Sequence, residues 1–274
     1  MIQSNAQNNN YPLALRVFHS IKSFVGLLIF IMVITFTSSS CLSKVKDASP
    51  FYAYMTKLLT TDTTPPTVSF TSPNPIDDEF ELNRSITVLF SKAVTSYSSQ
   101  PISVTLDGAI VEGKTEFINN SLIFTPNSEL VPNKKYFVTV DGVQDKSGNQ
   151  LKNKYEFSFT TGTLPDVNPI AINAITPLDD SSNIDIDSKI SIEFSEALDP
   201  RSLKEENFVL KENGIVIGFD LSLTSENILQ LKPKRVFANY TFYNLTINSN
   251  IKDTANLPMG KDVSISFMTS NKVD

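Results

Sequence analysis

Cys41 is the single cysteine among 274 residues, and the small polar run Thr37-Ser38-Ser39-Ser40 leads into it. A lone thiol forms no intrachain disulfide, so any globular part of the chain must rest on apolar packing. The one histidine, His19, lies upstream of that cysteine. If the segment up to Ser40 is removed and Cys41 is modified, no histidine or free thiol remains. Ser-His and Cys-His nucleophiles and zinc sites built on those ligands are then excluded. Carboxylates become the reactive class. Asp77, Asp78 and Glu79 correspond in place to Asp179 and Asp180, with Asn183, Asp185 and Asp187 close behind. Paired acids can hydrolyse glycosidic bonds, and oxygen-rich loops can hold Ca2+. Asp179, Asp180, Asp185 and Asp187 are therefore candidate calcium ligands, although they lack EF-hand spacing and read equally as turn formers. Asp145 and Asp253 read as Asx-type turns whose carboxylates accept backbone N–H bonds. No catalytic residue and no cofactor beyond that possible Ca2+ emerges.

Phe237, Tyr240 and Phe242 precede a strand pattern starting at Tyr243, where the equivalent earlier positions are Leu130, Asn133 and Lys135. Exposed, such aromatics would form a binding hot spot for a protein or glycan; buried, they would plug the end of a domain or the joint between two. Trp is absent and the net charge is −6. Beyond residue 40 the count is 21 basic and 29 acidic residues. A surface of that sign repels phosphate, so nucleic acid is not an expected partner.

The elements that must carry these residues begin with an export signal. Arg16, His19 and Lys22 precede an uncharged run from Phe24 to Phe36. As a helix that run spans roughly 20 Å, short of the ~30 Å hydrocarbon core, which favours a signal peptide over a permanent span. Small residues before one cysteine resemble the lipobox of bacterial lipoproteins, with Ser38 where leucine is usual. The resemblance implies cleavage after residue 40 and acylation of Cys41; the alternative is a free cysteine after an ordinary signal or an uncleaved anchor. Residues 41–64 read as a tether. Within it Phe51, Tyr54, Met55, Leu58 and Leu59 have helical spacing, for a helix on a lipid surface or a marginal one against the first domain.

An internal repeat organises the rest. Ile86-Thr-Val-Leu-Phe90-Ser91 and Ile190-Ser-Ile-Glu-Phe194-Ser195 are 104 residues apart, as are Pro73 and Pro177. Leu122-Ile-Phe-Thr-Pro126 and Tyr136-Phe-Val-Thr-Val140 recur 107 residues later, at Leu229 and Tyr243, and Phe157-Ser-Phe-Thr-Thr161 recurs 108 later. Period-two alternation within these segments, with Asp107-Gly108, Asn119-Asn120 and Asn213-Gly214 between them, predicts an all-β chain of two tandem Greek-key sandwiches, at 65–162 and 166–270. Phe90 and Phe194 fall on the inward phase.

The succession I-T-V-x-F-S, L-x-F-x-P, Y-x-V-x-V, D-x-x-G-N and F-x-F-T-T resembles the bacterial Ig-like domain of S-layer and surface-anchored proteins. The second copy departs from it at Asp253-Thr-Ala-Asn256, where the family has a glycine-containing turn. The resemblance implies an immunoglobulin-like fold and a non-catalytic spacer or display role in the cell envelope, lipid-anchored to the outer membrane or cell surface. The competing readings are an adhesin that binds a host or matrix protein or a glycan, and a carboxylate-based hydrolase.

Overall fold

The computed structural model describes residues 62–271. Cys41, the export signal and the helical spacing from Phe51 to Leu59 lie outside the described residues. What is described is all-β, as two successive sandwiches.

The first sandwich opposes two sheets. One contains β1 (Val68–Ser72), β2 (Ile86–Phe90), β6 (Gly113–Ile118) and β7 (Ser121–Pro126), in the order β1-β2-β7-β6. The other contains β4 (Ile102–Leu106), β5 (Ala109–Ile110), β8 (Lys135–Val140) and β10 (Tyr155–Thr160), in the order β10-β8-β4-β5. The short strands β3 (Val94–Ser96) and β9 (Val143–Asp145) pair at one end.

The second sandwich repeats the plan. Its sheets are β11-β13-β17-β16, from β11 (Ile172–Thr176), β13 (Ile190–Phe194), β16 (Phe219–Leu223) and β17 (Ile228–Pro233), and β12-β19-β18-β14-β15. The latter is built from β12 (Ser181–Ile184), β14 (Phe208–Glu212), β15 (Ile215–Val216), β18 (Phe242–Ile247) and β19 (Val263–Thr269).

Alternation decides what each strand buries. In β8, Tyr136, Val138 and Val140 are buried while Lys135 and Phe137 are exposed. In β13, Ile190, Ile192 and Phe194 are buried and Glu193 is exposed. Phe90 and Phe194 each lie within their own sandwich's core, with 1% and 0% exposure. Tyr136 stacks on Phe159 and its hydroxyl accepts the Val131 N–H at 2.8 Å; Tyr243 stacks on Phe267 and accepts the Ala238 N–H at the same distance. Turn chemistry repeats too: Asp107-Gly108 and Asn213-Gly214 all have positive φ, the conformation a two-residue hairpin needs and Asn, Asp and Gly adopt most readily. The departure at Asp253–Asn256 leaves that loop's conformation intact, because Asn256 at φ 69° takes the left-handed position that Gly148 fills at 84°.

One strand breaks the alternation. All of β2 is buried, including Thr87 and Leu89 on its outward side, and neighbouring Ile123 on β7 is buried as well. Leu89 and Ile123 lie outside the first core. This outer face meets the second sandwich. There the chain makes two 3-10 turns, at Pro200–Ser202 and Glu205–Asn207, between β13 and β14. A cavity of about 110 Å³ at this junction is lined by Ile118 and Ser121 from the first sandwich and by Pro200, Leu203 and Leu229 from the second.

Candidate functional site

A three-residue charged arrangement occurs once in each sandwich, and the second copy lies at this junction. In the first sandwich the residues are Asp62, Lys92 and Asp145. Lys92 follows the Ser91 that ends the I-T-V-L-F-S segment, and its ammonium donates to Asp62 Oδ2 at 2.6 Å, the Thr64 carbonyl at 2.6 Å and Asp145 Oδ2 at 3.3 Å. Asp145 turns its loop by accepting the N–H groups of Ser147 and Asn149 on Oδ1, and Asn149 Nδ2 donates to Oδ2 at 2.9 Å. The Asn149 amide, with those backbone donors and Lys92, holds this carboxyl down at about 2.

The corresponding positions in the second sandwich are Asp166, Glu196 and Asp253. Backbone geometry repeats closely: Asp166 Oδ1 accepts the Asn168 N–H as Asp62 Oδ1 accepts that of Thr64, both at 3.0 Å. Asp253 Oδ1 accepts the N–H groups of Ala255 and Leu257 at 2.8 and 2.9 Å. Chemistry does not repeat. Glutamate replaces lysine in the middle, and Leu257 replaces the asparagine whose amide held the second carboxylate oxygen. Asp253 Oδ2 is consequently buried with no hydrogen-bond partner.

A cation arrives instead from the other sandwich. Arg84, just before β2, places Nη2 against Asp166 Oδ2 at 2.9 Å and against Glu196 Oε2. Its Nε lies 3.0 Å from Glu81. Asn83 clamps the same linker residue, donating to the Asp166 carbonyl at 2.9 Å and accepting its N–H at 2.8 Å. Ser85 N–H donates to the Thr254 carbonyl at 2.8 Å. Three carboxylates then share one guanidinium. Burial pushes the Glu196 carboxyl up to about 7, opposed by Arg84 and assisted by Asp166 and Asp253. Burial raises Asp253 as well.

A second arginine crosses in the opposite direction. Arg201, in the first 3-10 turn, is held by Asp199 through Nε at 2.9 Å. Its Nη1 donates to Glu116 Oε2 at 3.2 Å and Thr125 Oγ1 at 3.1 Å, and its Nη2 to Ser85 Oγ at 3.2 Å, all on the first sandwich. Fourteen residues separate Phe194 from Phe208 where twelve separate Phe90 from Ile102, so the segment carrying Arg201 is longer than its counterpart. Each sandwich therefore inserts an arginine into acids of the other.

Asp145 and Asp253 are the turn formers read from sequence, whereas the candidate calcium ligands and the aromatic residues fall elsewhere. Asp179 Oδ1 accepts the N–H of Ser266 at 2.8 Å and that of Asp180 at 3.1 Å, and Asp180 accepts the Ser266 hydroxyl at 2.7 Å. With Asp185 and Asp187 they make no convergent oxygen cluster: among the described residues, three acids converge at Asp166, Glu196 and Asp253. Phe237 is corrected from a candidate binding residue to a core one. It is 2% exposed and its ring lies 4.5 Å from that of Tyr243 and 5.4 Å from that of Phe267, where the first sandwich uses Leu130. Tyr240 and Phe242 are exposed, and Phe242 pairs in register with exposed Met268. Arg84, Glu196 and Arg201 were missed from sequence; the signal for the site was the exchange of Lys92 for Glu196 at matched positions.

Comparison with known proteins agrees with this architecture. The bacterial Ig-like domain family matches residues 62–161 and 166–269. An S-layer protein of Geobacillus stearothermophilus is 40% identical over 79 residues, which is 29% of this chain and 6% of that protein. Among solved structures, the N-terminal part of the bacterial S-layer protein SbsC is 18% identical over 74% of this chain and 44% of its own, with a TM-score of 0.30. L,D-transpeptidase 3 from Mycobacterium tuberculosis is 14% identical over 36% of this chain and 37% of its own, with a TM-score of 0.26. The chain thus spans well under two thirds of these relatives.

Proposed function

Because the chain belongs to the bacterial Ig-like domain family, matched twice over most of its length, we propose that it is a non-catalytic structural module of the bacterial cell surface. In this reading it is held to the envelope by a lipid on Cys41 and presents two sandwiches as a jointed spacer. The observation that carries the reading is the reciprocal exchange of Arg84 and Arg201 across the junction. Multiply bonded arginines, Arg84 buried and Arg201 half-buried, restrict the relative motion of the two sandwiches, as a distance-setting element requires and a flexible tether does not. The likeness over 79 residues to an S-layer protein supports a surface location. The catalytic alternative has little to work with: the carboxyl raised to about 7, Glu196, is engaged by Arg84 inside the joint.

Anchoring is tested by metabolic labelling with a fatty-acid analogue. The parent chain is expected to take up label and partition with membranes, and Cys41→Ala to do neither; equal labelling of the two contradicts the anchor. An adhesin reading has one observation in its favour, exposed Phe242 and Met268 paired across β18 and β19 with exposed Tyr240 in the turn before them. Saturable binding to a matrix protein or glycan that is lost in Tyr240→Ala would establish it over the spacer.

A further inference from the structure

Repetition within the chain shows what the second sandwich lacks. In the first, one ammonium satisfies both flanking acids, with Lys92 Nζ bonded to Asp62 Oδ2 and Asp145 Oδ2. In the second, Arg84 takes over the contact to Asp166 Oδ2 but leaves Asp253 Oδ2 buried and unpartnered, and the residue in the middle adds a carboxylate. Asp253 is 0% exposed, so bulk water does not solvate that oxygen. A buried, unpaired carboxylate is costly, and it is relieved by taking up a proton, by pairing with a cation or by binding a metal ion. One oxygen from each of Asp166, Glu196 and Asp253 lies within 4.8 Å of one from each of the others. Two oxygens on opposite sides of a Ca2+ ion are separated by about 5 Å, twice the 2.3–2.6 Å ligand distance. The spacing of the three oxygens is within the range that ligands of one such ion span.

We propose that Asp166, Glu196 and Asp253 bind a divalent cation, of which Ca2+ is the fitting one, beside Arg84 at the junction of the two sandwiches. The ion replaces the charge that Lys92 supplies in the first sandwich. With Glu81 also on the guanidinium, the acids around Arg84 outnumber the one cation, and a divalent ion offsets the surplus negative charge. Asp166 belongs to the linker, Glu196 to the segment after β13 and Asp253 to the loop after β18, so the ion ties together the start, middle and end of the second sandwich where the first docks onto it. With three protein carboxylates and the remainder of the shell left to water and carbonyl oxygens, the affinity expected is that of extracellular modules, a Kd of about 10⁻⁴ to 10⁻³ M.

Isothermal titration of the purified full chain in detergent micelles, stripped with chelator and titrated with CaCl2 at neutral pH, tests this. The parent is expected to bind one Ca2+. Asp253→Asn keeps the Oδ1 that turns the loop but replaces Oδ2, and is expected to weaken binding at least tenfold. Glu196→Lys restores the acid–lysine–acid arrangement of the first sandwich; it is expected to abolish binding while melting in chelator no lower than the parent. Asp179→Asn, outside the set, is expected to bind as the parent does. No heat of binding by the parent at millimolar Ca2+, undiminished binding by Glu196→Lys, or binding lost only in Asp179→Asn would each overturn the site.

Discussion

The two sandwiches place the same backbone around the same three positions and solve the same electrostatic problem differently. In the first, Asp62 and Asp145 close on a lysine from their own sandwich. In the second, Asp166 and Glu196 rely on an arginine from the neighbouring sandwich, and Asp253 keeps one oxygen unpartnered. A self-satisfied triad leaves its domain independent; a triad short of positive charge makes folding and docking one event. The outer faces differ in step. β2 buries Leu89 where the equivalent Glu193 of β13 faces solvent, so the first sandwich offers an apolar sheet face for docking and the second does not.

The largest effect expected is common to both halves. Phe90→Ala and Phe194→Ala each empty an aromatic site in a sealed core and should cost about 3–5 kcal/mol. Chemical denaturation of the full chain checks this, and a loss under about 1 kcal/mol at either position breaks the equivalence of the two cores.

Next comes the contrast between cations. Arg84→Ala strands buried Asp166 and half-buried Glu196 and should cost about 3 kcal/mol or more. Lys92→Ala removes a partly exposed ammonium from an Asp145 that keeps its amide and backbone donors, and should cost no more than about 1 kcal/mol. Equal losses in denaturant midpoints would mean that the two triads are not different in kind.

A pH dependence of smaller amplitude follows from Glu196, which faces Arg84, Asp166 and Asp253. Its folded-state value, raised to about 7, exceeds the ordinary carboxylate range. The stability it contributes is complete below that ordinary range and is lost as pH rises through about 7. In chelator, the melting temperature of the parent should therefore fall between pH 5 and pH 8, and Glu196→Gln should flatten that slope. A parent curve that rises over this interval, or a variant as steep as the parent, would contradict the assignment.

The smallest effect lies in the matched loops. Gly148→Ala forces a Cβ into φ 84° and should cost about 1 kcal/mol, whereas Asn256→Gly, at φ 69°, should change stability by only a few tenths. Thermal melts resolve the difference.

Much of the fold was legible because its causes are local. Alternation set which of Ile190, Ser191, Ile192 and Glu193 face inward, and Asn-Gly and Asp-Gly steps marked hairpins whose positive φ those residues accept. The second copy's missing glycine was legible as a departure, but not its harmlessness, since asparagine reaches the same conformation. The joint was not legible. Arg84 and Glu196 are 112 residues apart, and no periodicity connects them. Leu89 looked like one more apolar residue in a β segment, although it is the docking face that buries it. Asp253 was read correctly as a loop former through Oδ1, while the consequence lay in Oδ2, which loses its partner only because Leu257 stands where Asn149 does. Phe237 and Tyr240 could not be separated by type, since burial of one and exposure of the other depend on where the chain enters β18.

Arg84 joins the two sandwiches through the carboxylates of the second, and a double-mutant cycle on the full chain measures that coupling directly. Arg84→Ala, Asp166→Asn and the double variant are compared by denaturation in chelator. Residues in one buried ion-pair network should show a coupling free energy of about 1.5 kcal/mol or more. Additivity within about 0.3–0.5 kcal/mol, the behaviour of independent sites, would contradict the joint.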